Sequence, residues 1–155
     1  MGRYYEADEG VYAVLRELIN TRFNGLRNTN FKILMDTKPK IDKLLGKIVF
    51  AYVKLPNEVE RYLTTEIENR EVDYFIFVSD LVWSLASDKD KKRILSHELR
   101  HCFIDEKGNY KIIKHDIEDF YEELKLNEDD PMWAQSLGTI AITKYEQLKA
   151  EAKQK

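Results

Sequence analysis

The sequence predicts an α+β domain, and two patterns along the chain predict it. Three segments, at about residues 7–26, 88–103 and 132–149, space apolar residues three and four positions apart, as amphipathic helices do. Runs of β-branched and aromatic residues at 31–35, 48–53 and 72–78 are bounded by turn-forming residues and predict strands. We expect a small, mostly antiparallel sheet of about three strands, packed with the N-terminal helix, the 88–103 helix and C-terminal helices.

Helix starts and stops support these boundaries. Asp8 is a suitable N-cap for the first helix, and Asn24-Gly25 ends it. A short helix is expected after Pro56, and Ser87 is a suitable N-cap for the 88–103 helix. The 72–78 strand could be an ordinary core strand or could lie at the sheet edge, where a peptide can add as a further strand.

Size and charge limit the classes of function. With 155 residues and a formal net charge of −3, the chain is expected to form a single domain, residues 1–155. The basic residues are spread along the chain, so no nucleic-acid partner is expected. There is neither a signal peptide nor an apolar run long enough to span a membrane, which predicts a cytoplasmic protein that is not secreted.

The segment Ser96–His101 contains the pattern H-E-x-x-H. On a helix, His97 and His101 lie one turn apart on one face and can bind one metal ion, with Glu98 beside them as a candidate general base. His115 is the only other histidine in the chain. A catalytic zinc site usually takes three protein ligands and leaves a position for water, so these three histidines predict one zinc ion per chain.

Other residues compete for roles at this site. A carboxylate could replace His115 as the third ligand, and the candidates are Asp116 and Asp119, together with Asp105 and Glu106. Asp116 or Asp119 could instead orient a histidine ligand by accepting a hydrogen bond from it. Cys102 follows the motif directly and is better explained as a small buried hydrophobic residue. Trp133 and Tyr145 of the last helix are better explained as core residues, although they could also cover the cleft or join a dimer interface.

The motif helix, the acidic turn Asp105-Glu106 with Gly108, and the block His115–Phe120 together resemble the small phage metallopeptidases, which are zincin-like domains. The resemblance extends over about residues 4–124 and leaves a C-terminal helix at about 132–149, with a frayed tail, outside it. It implies a minimal zincin-like fold, a zinc ion held by His97, His101 and His115, and Glu98 as base. The family origin would place the protein in the host cytoplasm.

The motif predicts hydrolysis of a peptide bond, in which zinc activates a water molecule and Glu98 takes its proton. The partner is then a peptide or protein substrate. The alternative is a zinc-stabilised binding module that contacts a host or phage protein without catalysis. The sequence leaves open the substrate, the residue that stabilises the oxyanion and the oligomeric state.

Overall fold

A four-stranded mixed sheet forms the centre of the molecule, in a computed structural model that describes residues 2–42, 46–114 and 121–154. Its strands are β1 (Tyr4–Glu6), β2 (Phe31–Asp36), β5 (Ala51–Lys54) and β6 (Tyr74–Ser79), and their spatial order is β1-β2-β6-β5. The outer pairings β1–β2 and β5–β6 are antiparallel, whereas the central pair β2–β6 is parallel. Two hairpins lie outside this sheet: β3 (Ile41–Asp42) with β4 (Lys47–Ile48), and β7 (Cys102–Ile104) with β8 (Tyr110–Ile112).

Four of the helices start where the sequence predicts, and the short helix directly after β6 was not predicted. They are α1 (Glu9–Arg22), α2 (Glu58–Glu68), α3 (Asp80–Leu85), α4 (Asp88–Arg100), α5 (Tyr121–Leu126) and α6 (Trp133–Gln154). Asp8 caps α1, Asn57 and Glu60 form a capping box on α2, and the Ser87 hydroxyl accepts a hydrogen bond from the Asp90 amide at the start of α4. No helix in the described part of the chain has both the length and the apolar character needed to cross a membrane.

The main core lies between one face of the sheet and the helices α1 and α4. Its buried side chains include Leu15 and Leu18 of α1, Ile33 of β2, Ile76 of β6 and Leu95 of α4. A second cluster joins β4, α3, α4 and α6 through the buried residues Ile48, Val82, Ile94, Trp133, Leu137 and Ala141. Helix α4 contributes to both clusters, so its orientation is determined from two sides.

The α+β class is confirmed, but several expected strand boundaries were wrong. The main sheet has four strands, since Tyr4–Glu6 pairs with β2, so the expectation of about three strands fails. The run 48–53 divides, because Ile48 pairs with Ile41 in the hairpin while Ala51–Lys54 pairs with β6. Strand β6 lies inside the sheet between β2 and β5, so it is the core strand of the two alternatives and β5 is the edge strand.

Candidate active site

Helix α4 ends earlier than its sequence predicts, and this affects the second histidine of the motif. The helix stops at Arg100, with His101 as its C-cap in helical conformation (φ −71°, ψ −21°), and the chain then turns into β7. Because His101 keeps helical geometry, it remains on the same face as His97. Their ring centroids are 5.3 Å apart, with the ring planes inclined by 71°.

His101 is fixed by the hairpin that follows it. Its Nδ1 atom lies 2.6 Å from the carbonyl oxygen of Ile113, and the Ile113 amide donates to the His101 carbonyl oxygen at 2.7 Å. A carbonyl oxygen can only accept, so Nδ1 carries a proton, and in the neutral ring the lone pair is then on Nε2. That is the tautomer in which a metal-binding histidine is commonly held by a backbone carbonyl.

Tyr74 attaches the same hairpin to the core. Its hydroxyl group lies 3.0 Å from the carbonyl oxygen of Phe103 and 2.7 Å from that of Lys111, one on each strand of the hairpin. Tyr74 itself is completely buried at the start of β6. The sheet therefore sets the position of the hairpin, and the hairpin sets the ring of His101.

Glu98 is a buried carboxylate, with 6% of its surface exposed. Removal from water raises the pKa of Glu98 to about 8, although the nearby His97 lowers it in part. Glu98 and His97 line one cavity of about 300 Å³ between α4 and the chain entering β5. The other lining residues are Val49, Phe50, Ala51, Ile94, Trp133 and Ala134.

A buried polar cluster lies next to the motif. Ser96, just before His97, is fully buried, and its hydroxyl donates to the Glu123 carboxylate of α5 at 2.6 Å. Arg100 approaches the same carboxylate at 3.4 Å, and Arg22 of α1 donates to the Ser96 hydroxyl oxygen at 3.2 Å. Glu123 is only 1% exposed, so these contacts compensate for the removal of its carboxylate from water.

A second contact fixes the chain after α5. Arg93 of α4 is buried, and its guanidinium group donates to Asn127 at 3.3 Å and to Asp129 at 2.7 Å. The same guanidinium group also donates to Asp90 at 3.0 Å. Helix α4 therefore holds α5 through Glu123 and the following turn through Arg93.

Three of the candidate ligands, His115, Asp116 and Asp119, lie in the segment 115–120, outside the described residues. The chain on either side of that segment is described, and both sides contact α4. Ile113 contacts His101 before it, and Glu123 contacts Ser96 and Arg100 after it. Within residues 2–42, 46–114 and 121–154, no three His, Cys, Asp or Glu side chains are grouped so that they could hold a metal ion.

Three other residues that the sequence singled out have structural roles. Asp105 accepts hydrogen bonds from the amides of Lys107 and Asn109 in the turn between β7 and β8. Cys102 is buried, its thiol lies 3.7 Å from the Glu98 carbonyl oxygen, and burial raises the pKa of that thiol. The interpretation of Cys102 as a small buried hydrophobic residue is confirmed. Trp133 is buried in the second core cluster and also lines the cavity.

The sequence predicted neither that β5 is the edge strand beside the cavity nor which buried residues contact α4. Glu123 is one of two adjacent glutamates, and nothing in the sequence distinguishes it from Glu122. Arg93 reads as an ordinary charged residue on a solvated helix. A buried charge is recognised only when its partners, here distant in sequence, are known.

The comparisons with known proteins gave one match. Searches of curated proteins and of solved structures found no match. The family model described as Putative phage metallopeptidase matches residues 3–144, a range that includes each strand of the described part of the chain, the motif helix and the first half of α6. The chain belongs to the Putative phage metallopeptidase family.

Proposed function

We propose that this protein is a zinc-dependent peptidase that hydrolyses a peptide bond in the cavity between α4 and β5. Membership of a metallopeptidase family implies a metal cofactor and a peptide or protein substrate. The observation that carries the specific proposal is the position of Glu98, a buried carboxylate that lines the same cavity as the adjacent His97. A buried carboxylate with a raised pKa in a cleft is typical of an acid–base residue.

His97, His101 and His115 would hold the zinc ion. The donor set fits zinc, because imidazole is a common zinc ligand and the hydrogen bond to Ile113 holds His101 in the tautomer with its lone pair on Nε2. The contacts that flank the 115–120 segment support a third ligand from that segment. Asp116 and Asp119 are the alternative ligands. Zinc bound there would polarise the substrate carbonyl and lower the pKa of a water molecule.

Glu98 would act as the proton carrier. A pKa near neutrality suits a group that must accept a proton from water and then give it to the leaving amine. The apolar walls of the cavity, among them Ile94 and Trp133, lower the local dielectric constant and so strengthen electrostatic interactions beside Glu98.

The open edge of β5 suits an extended peptide. The Ser79 amide donates to the Phe50 carbonyl oxygen at 2.9 Å, just before Ala51 pairs with Val78. Hydrogen-bonded positions alternate along antiparallel strands, so Phe50 is followed by Ala51, which does not bond to β6. The backbone N–H and C=O groups of Ala51 and Val53 therefore point away from β6. No strand in the described part of the chain pairs with that side. A peptide added there would pass the cavity that contains Glu98, since Ala51 lines it.

Hydrolysis of a quenched fluorescent casein tests the proposal. The zinc-loaded protein should cleave it, lose activity with a chelator and regain activity when zinc is restored. Glu98→Gln should lower kcat at least about 100-fold, because the general base is lost, while the protein still binds zinc. Glu66→Gln, at an exposed position of α2, is the matched control and should keep full activity.

Full activity in Glu98→Gln would reject the assignment of the base. Zinc binding without hydrolysis in the wild type would instead indicate the binding-module alternative.

A further inference from the structure

A second and larger cavity adjoins the candidate active site. Its volume is about 560 Å³, compared with about 300 Å³ for the cavity that contains His97 and Glu98. The two cavities share Phe50 and Ala134 in their walls. The larger one therefore continues the candidate active site along α6 toward the β3–β4 hairpin. We call it the α6 groove.

The walls of the α6 groove are mainly apolar. Ile48, Phe50 and Ile142 provide aliphatic and aromatic surface, and Ile142 and Phe50 remain partly exposed. Polar residues, represented by Lys47 and Gln135, also line the groove and are exposed. An apolar concavity of this size with few polar groups has the character of a ligand subsite.

Gly138 forms part of the wall in the interior of α6. Glycine weakens a helix interior relative to alanine, and the φ of Gly138 is not positive, so the backbone does not require glycine here. A Cβ atom at this position would lie 3.7 Å from the Phe50 ring, which is ordinary van der Waals contact. Close packing therefore does not require glycine either. Its effect is to keep the groove open beside Phe50.

We propose that the α6 groove receives a bulky apolar side chain of the peptide substrate, such as Leu, Met or Phe, and that Gly138 sets the size it accepts. This inference rests on the proposed peptidase function. A peptide lying along β5 would pass Phe50, which lines both cavities, so one of its side chains could extend from the candidate active site into the α6 groove. An apolar side chain entering the groove would be removed from water against Phe50 and Ile142.

Cleavage of a peptide mixture tests both claims. The full zinc-loaded chain would be incubated with peptides made by digesting a bacterial proteome, and the cleavage sites would be identified by mass spectrometry. We expect Leu, Met or Phe to be enriched at one fixed position relative to the cleaved bond. Gly138→Leu should lower cleavage at these sites at least tenfold relative to sites with Ala or Ser at that position.

Ala150→Leu is the matched control, because it adds the same side chain to an exposed position of the same helix. It should leave the preference unchanged. Zinc content and thermal unfolding would show that each variant is folded. Should Gly138→Leu not fold, Gly138→Ala tests the same claim, because its methyl group should shift the preference toward smaller side chains.

The possible failures are distinguishable. Zinc-dependent cleavage without an apolar preference, or with a preference that Gly138 substitutions do not change, would overturn this inference and leave the peptidase function standing. Absence of any zinc-dependent cleavage would overturn both.

Discussion

Glu98 and His97 are neighbours in sequence and line the same cavity, but their proposed roles differ: Glu98 is the general base and His97 is a zinc ligand. The carboxylate of Glu98 is held away from water, where its raised pKa reflects the cost of burial. We expect this cost to bring no structural benefit in the metal-free protein, because an amide of similar shape would fill the same space. A residue buried at a cost to stability in a candidate active site is typical of a trade-off between stability and activity.

The first prediction follows from this cost. In metal-free protein at neutral pH, Glu98→Gln should raise the free energy of unfolding by about 1–3 kcal/mol, because the amide carries no ionisable group into the buried site. Denaturant unfolding in the presence of a chelator measures it. Glu66→Gln, at an exposed position of α2, is the control and should change stability by less than about 0.5 kcal/mol. A Glu98→Gln variant less stable than the wild type would show that the carboxylate stabilises the fold.

Among the elements, the contact between α4 and α5 has the clearest functional consequence. Glu123 binds Ser96 and Arg100, and it holds the start of α5 against the helix that carries His97 and His101. Under the proposed function, the segment that supplies His115 immediately precedes α5. Glu123 is therefore expected to position that ligand without contacting the metal ion.

The second prediction concerns this positioning role. Glu123→Gln should weaken zinc affinity by about 10–100-fold, the usual effect of removing a residue that orients a ligand. Competition with a chromophoric chelator, well below the unfolding temperature, measures affinity separately from stability. Glu128→Gln, an exposed glutamate in the turn after α5, should bind zinc like the wild type. Wild-type affinity in Glu123→Gln would show that α5 does not position a ligand.

The sequence predicts elements well where the signal is local. Asp8 and Ser87 cap the helices they were expected to cap, and the two histidines of the motif share a face because their spacing matches one helical turn. The sequence predicts strands poorly where pairing between residues distant in sequence determines their boundaries. Strand β1 is short and exposed and exists because it pairs with β2, and the run 48–53 divides because its two ends have different partners.

In the whole molecule, the candidate active site lies where three parts of the fold meet. The open edge of the sheet at β5, the motif helix α4 and the start of α6 at Trp133 together enclose the cavity. Because α4 belongs to both core clusters, the orientation of its histidines depends on packing throughout the molecule. The helix periodicity and the runs of β-branched and aromatic residues predicted the α+β class, but no sequence pattern could show which strand forms the edge.

The central claim is that three histidines bind one zinc ion, and metal content tests it most directly. Elemental analysis would be made on protein purified without a histidine tag, as wild type, His97→Ala and His115→Ala. We predict about one zinc per chain in the wild type and nearly none in either variant. Absence of zinc from the wild type would contradict the claim, and full zinc in His115→Ala would transfer the third position to a carboxylate such as Asp116 or Asp119.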